Sequence, residues 1–270
     1  MLSEGAALPM RGNNWGNVEQ TLMPIASIHA PCSPMFNPDP STSQAESQMS
    51  VTSDHSRLLT LAARAHLAPL GCKQNGRSRF WFDDHGWWAA TVEFQPSSGS
   101  KGSYLNVGAM WFWHPTDHWV FHEYERVAPF HEFRDDAQFA EVASELAKRA
   151  ASRVIAAREK FDSIEAVARY LMQTPTDGFW LNYQAGIAAS LIGDTSTAAV
   201  RFQALAAIPS DAAWVSEAKD RARRLFDSFT STTRTRELVA AEVARTREKL
   251  GLPALPSATD LWAPARRRTA

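Results

Sequence analysis

The residues best equipped for chemistry are four closely spaced histidines, His114, His118, His122 and His131, with Asp117, Glu123, Asp135 and Asp136 beside them. On a helix, His118 and His122 would share a face at i, i+4, which is metal-ligand spacing. With His114 and an adjacent carboxylate, that set would suit a metal-dependent hydrolase or nuclease. The stretch Trp119-Val-Phe-His-Glu-Tyr alternates as a strand does, however. Residues four apart on a strand stand about 13 Å from one another, too far to share one ion. The strand reading leaves satisfied or exposed imidazoles, and it implies no metal and no cofactor.

Other reactive types are scattered. Asp83-Asp84-His85-Gly86 reads as a hairpin turn, where carboxylates serve local backbone bonding. Cys32 and Cys72 lie far apart in dissimilar contexts, which gives neither a disulfide framework nor a zinc motif and fits a reducing cytoplasm. Cys72, just past a helix end, suits a small buried hydrophobe. The chain contains no G-x-S-x-G, P-loop or Rossmann fingerprint. No coherent catalytic set emerges, so whether the protein is an enzyme stays open.

A sheet must position most of these residues. Six of the ten tryptophans fall between Phe80 and Tyr124, at a spacing that favours a pleated, half-buried surface. Strands are expected at Ser78–Phe82, Trp87–Gln95, Tyr104–Trp113 and Trp119–Val127, joined as an antiparallel meander. Lys73–Arg77 is expected to be a polar turn. A helix capped by Ser53 precedes the sheet, with Leu58, Leu59, Ala62, Ala65 and Leu67 on its apolar face. A second helix, Asp135 to about Lys160, should cover one side of the sheet through Phe139, Val142, Leu146, Val154 and Ile155. The other side needs the C-terminal helices, a dimer mate or a partner. A face left free would be lined by Arg79, Trp87, Thr91, Tyr104 and Asn106, with Arg77 and Lys101 at its rim. These five residues are the candidate ligand-binding set; with the sheet covered, the tryptophans become core instead.

From Asp162 the composition turns to Ala, Arg, Leu and Glu. Asp162-Ser-Ile-Glu165 reads as a capping box for a helix through Met172. Further helices are expected from Asp177-Gly178 to Leu191, over Thr195–Ala207, from a cap at Pro209-Ser210-Asp211 through Phe229, and over Arg234–Leu250. Residues 1–50 are rich in Pro, Ser, Asn and Gln and read as disordered, with Met49 as an alternative start. Within them Leu22–Ile28 is a short apolar island that suits a docking peptide. Residues 253–270 read as a disordered basic tail ending in Arg266-Arg-Arg268.

Leu70-Gly71 after a helix, the basic turn to Arg77, Phe80-Trp81, Phe94-Gln95, the Ser/Gly loop and Tyr104-Leu105-Asn106-Val107-Gly108 together resemble the DUF4304 group. These are small bacterial α+β proteins of unknown function. The resemblance covers about residues 58–127, with Cys72 where the pattern has an aromatic, and it carries no catalytic residues across. Asn182–Pro209 is similar to a single tetratricopeptide-type hairpin. Gly186 stands at its small position, Gly193-Asp194 at its turn, Ala198 and Phe202 at its second-helix packing positions and Pro209 at its close.

The fold expected is α+β: an antiparallel four-stranded aromatic sheet packed with helices over residues 51–160, followed by an all-helical region over 161–252. Net charge is -1 and pI about 6.7, which gives no global field favouring nucleic acid or an anionic membrane. No apolar run approaches the roughly 20 residues that span a bilayer, and no secretion signal opens the chain. The reading is a bacterial cytoplasmic, non-enzymatic binding or interaction module with a protein or peptide partner, or a homodimer.

Overall fold

A computed structural model describes residues 54–175, 178–228, 231–255 and 260–262. The N-terminal segment, the Ser53 cap, Asp177, Phe229 and the basic tail from Arg266 to Arg268 lie outside these residues. Helix α1 (Asp54–Leu67) leads into the strands β1 (Lys73–Gln74), β2 (Phe80–Asp84), β3 (Trp88–Glu93), β4 (Gly102–Trp111) and β5 (Glu123–Glu132). Helices α2 (Asp136–Lys160), α3 (Ile164–Gln173), α4 (Phe179–Leu191), α5 (Thr195–Ala207), α6 (Ala213–Asp227) and α7 (Thr232–Lys249) follow. The sheet is a fully antiparallel meander in sequence order, and it has five strands, not four. The extra one is β1, two residues of the expected Lys73–Arg77 turn that pair with Phe82 and Trp81. No helix among the described residues is long and apolar enough to cross a membrane.

Cross-strand partners point to the same side of a sheet. Trp81–Val92–Val107 and Asp83–Ala90–Ala109 therefore belong to one face. Helix α2 covers this face, with α1 packed beside it. Asp135 caps α2 by accepting from the Gln138 N–H, and the buried stripe runs through Phe139, Ala143, Leu146, Ala147, Ala150 and Val154. Ile155, expected on that stripe, is exposed. Just past α2, the Phe161 ring meets Trp88 and Trp111 edge-on.

The opposite face carries Phe80, Phe82, Thr91, Glu93, Asn106 and Gly108. Its cover is the chain's own link between β4 and β5. Trp119 stacks on Phe82 at 4.5 Å and lies 5.2 Å from Phe80, while Phe121 sits 6.1 Å from Phe80. Residues 119–122 were expected within the fourth strand; they fold across the sheet, and β5 begins only at Glu123. Gly108 makes this possible. A Cβ there would lie 1.9 Å from the Glu123 carbonyl oxygen and 2.8 Å from the Phe121 ring.

The expected hairpin turn moves as well. Asp83 and Asp84 extend β2, because alternation aims their carboxylates at arginines on opposite sides. Arg158 of α2 binds Asp83 at 2.7 Å. Arg247 of α7 grips Asp84 with both terminal nitrogens, at 2.6 and 2.9 Å. The turn itself is left to His85-Gly86-Trp87, closed by the His85 N–H donating to the Trp88 carbonyl.

The helical half closes the end of the sheet. Trp87, Trp111 and Trp113 stack at that end, and Trp113 Nε1 donates to Gln184 Oε1 of α4. Thr246 of α7 donates to the His114 carbonyl oxygen. One hydrophobic core runs continuously from Leu59 through the sheet to Val243, so no solvent layer divides the chain near residue 160. Ser163, not Asp162, caps α3. Helix α6 starts at Ala213, after the expected Pro209–Asp211 cap, and has no side-chain cap.

Candidate functional site

The first turns of α4 and α6 lie side by side, and their aromatic residues meet. Trp180 and Trp214 stack at 5.3 Å, 14° from parallel. Phe179 stands edge-on to both, at 5.1 Å from Trp180 and 5.3 Å from Trp214. Stacked and edge-on rings hold one another in place beyond the area they bury. The outermost ring stays open: Trp214 is 50% exposed.

Inward from this stack the rings continue to the histidines. Trp180 lies 4.2 Å from His114, and His114 lies 4.8 Å from His122. His122 is half-buried, with its Nε2 shut away from solvent, and its Nδ1 accepts the Trp111 backbone N–H at 2.8 Å. An accepting Nδ1 carries no proton, so the neutral ring bears its hydrogen on Nε2. That tautomer has no lone pair on Nε2 to offer a metal. Burial pushes the His114 pKa down to about 3, with the Arg221 charge adding to the effect, and holds His122 well below the usual imidazole range. His118 stands apart and partly exposed, bonded to Thr116 and Asp117. The structure thus brings His114 and His122 together without His118. Among the described residues no group of three His, Cys, Asp or Glu side chains is placed to hold a metal ion.

Beside Tyr183 lies a cavity of about 30 Å³, bounded also by Trp113, Arg221 and Glu242. It matches the volume of one water molecule and is too small for an organic ligand.

The five residues expected on a free sheet face are dispersed. Trp87 is buried in the tryptophan stack, 5.5 Å from Trp113. Thr91 is buried, and its hydroxyl has no partner among the described residues. Arg79 donates to Ser56 Oγ at 2.5 Å and to the Gly102 carbonyl at 3.0 Å. Only Tyr104 and Asn106 adjoin. Asn106 donates to Glu93 at 3.0 Å and to Gln95 at 2.9 Å, and it accepts from the Tyr124 hydroxyl at 3.1 Å. Arg126 donates to that hydroxyl and lies 4.3 Å from the centre of the Tyr104 ring. Burial pushes the Glu93 carboxyl up, against the opposing pull of Asn106 and Arg126. This network seals one end of the sheet with mutually bonded groups.

Sequence reasoning missed the aromatic stack because Phe179-Trp180 and Trp214 lie 34 residues apart. The available signal was a tryptophan in the first turn of each of two neighbouring helices. No family model, no curated protein and no solved structure matches this chain.

Proposed function

We propose that the chain is a non-enzymatic protein-binding module of the bacterial cytoplasm, with Trp214, backed by Trp180 and Phe179, as the anchor for a polypeptide partner. The observation that carries this reading is the half-bare Trp214 ring, held rigid by its stacking on Trp180. Binding energy concentrates on large aromatic side chains that are ordered before the partner arrives. The balanced net charge and the unpaired, buried Cys72 accord with this reading. The likenesses to DUF4304 over about residues 58–127 and to a tetratricopeptide hairpin over about 182–209 belong to the same proposal. The close packing of Gly186 against Phe202 supports the second of them.

The test is affinity capture with the full chain, followed by titration of each purified partner. Trp214→Ala should weaken at least one partner tenfold or more, with a stability loss of about 1–3 kcal/mol from the two ring contacts it removes, smaller than that of a buried tryptophan. Trp87→Ala, which empties a buried site, should instead lower stability by about 3–5 kcal/mol. Partners that bind the Trp214→Ala protein as tightly as the natural one would refute the assignment.

A further inference from the structure

The cavity beside Tyr183 lies where α4, α6 and α7 meet. Tyr183 of α4, Arg221 and Arg224 of α6 and Glu242 of α7 give it polar walls; the rest of its lining is aliphatic or aromatic. Its volume of about 30 Å³ suits one water molecule or one ion of similar size. Arg224 is exposed, which leaves a way in from solvent.

The Arg221 Nε–H is shut away from solvent and has no partner among the described residues. A buried donor left unpaired is costly, and native folds supply it with an acceptor. The charge of Arg221 is also poorly balanced. Its ion pair with Glu217 is 3.8 Å long, and Glu217 is 69% exposed, so solvent screens the pair. Glu242 does not make up the difference, because its carboxylate is bonded to Arg245. Around the cavity three arginines therefore meet two carboxylates, which leaves one positive charge in excess. Burial pushes the Tyr183 phenol up and so keeps its proton in place; its hydroxyl lies beside Arg221. A protonated phenol is a hydrogen-bond donor.

We propose that this cavity is a halide site: one chloride ion takes the Arg221 Nε–H and the Tyr183 hydroxyl as donors and offsets the excess charge, joining α6 to α4. A water molecule would accept from Nε but leave the charge unbalanced. Away from bulk water that imbalance is felt strongly, because the local dielectric is low. Sulfate, phosphate and organic carboxylates exceed the volume. The donors come from two helices that are together only in the folded chain. Chloride therefore binds the folded state alone and stabilises it by mass action.

Thermal unfolding of the full chain at constant ionic strength, with sodium sulfate replaced stepwise by sodium chloride, provides the test. Chloride should give the higher midpoint, by about 2 °C or more at saturation, although sulfate is the better general stabiliser of folded proteins. Arg221→Gln removes both the charge and the Nε–H, and it should reverse the order in favour of sulfate. Arg223→Gln, on the same helix but 72% exposed, should keep the order of the natural protein. Crystals of the natural protein grown in sodium bromide should show an anomalous scatterer between Arg221 and Tyr183, a measurement that stands whether or not the variants fold. The same order of midpoints in natural and Arg221→Gln protein would overturn the proposal. So would a water molecule, with no anomalous signal, between Arg221 and Tyr183 in the bromide crystals.

Discussion

His122 shows how a single hydrogen bond decides what a residue can do. By taking the Trp111 N–H on Nδ1 it fixes its own tautomer, and a second proton would break that bond. His114 is kept neutral beside it by burial. In the unfolded chain both rings titrate near 6.5. The unfolded state therefore binds protons that the folded state refuses, and stability falls as pH drops from about 6.5 towards 3. Each histidine contributes up to about 1.4 kcal/mol per pH unit over that window. Urea midpoints at pH 7, 5.5 and 4.5 should fall in order, and His114→Phe should flatten the slope by close to one proton. A profile flat above pH 4.5 would contradict the neutral pair. The spacing of these histidines was legible in the sequence. Their burial was not, because it depends on Trp180, Tyr183 and the folded-back link before β5.

At the scale of elements, close approach is set where a side chain is missing. A Cβ on Gly186 of α4 would lie 2.4, 2.6 and 3.0 Å from Phe202 ring atoms of α5. Gly186→Ala should thus push the two helices apart and cost about 1–3 kcal/mol; Phe202→Leu in the same chain should recover part of it. Equal losses in the single and double variants, measured by urea unfolding, would show that the hairpin does not pack through this contact. Helix α2 and the pair α4–α5 were readable because apolar periodicity and turn residues are local signals. Residues 119–122 misled because a segment buried across a sheet face alternates much as a strand does. Strand β1 escaped because two residues, Lys73 and Gln74, carry no period at all. Asp83 and Asp84 read as turn residues since the partners that keep them extended, Arg158 and Arg247, are remote in the chain.

For the whole molecule, Arg247 ties the sheet to the helical half. It is buried, bonded to Asp84, to the Gly86 carbonyl and to the Pro253 carbonyl, and it sits over the Phe112 ring. Removing one partner of a buried ion pair strands the other charge and costs about 3–5 kcal/mol. Because the core is continuous, Arg247→Ala should lower the midpoint seen by far-ultraviolet dichroism and by tryptophan fluorescence to the same degree. Asp84→Asn added to it should restore part of the loss. A drop in the dichroism signal alone would mean that the halves melt independently.

That same Asp84–Arg247 grip joins positions 163 residues apart. At about 5–20 residues per second on the ribosome, roughly 8–33 s pass between the emergence of the aspartate and that of its arginine. For much of that interval the indoles of Trp87, Trp111 and Trp113 have only part of their roof, which Phe161, Gln184 of α4 and then α7 complete in turn. The nascent polypeptide must be sheltered, or made quickly, to escape aggregation while it waits.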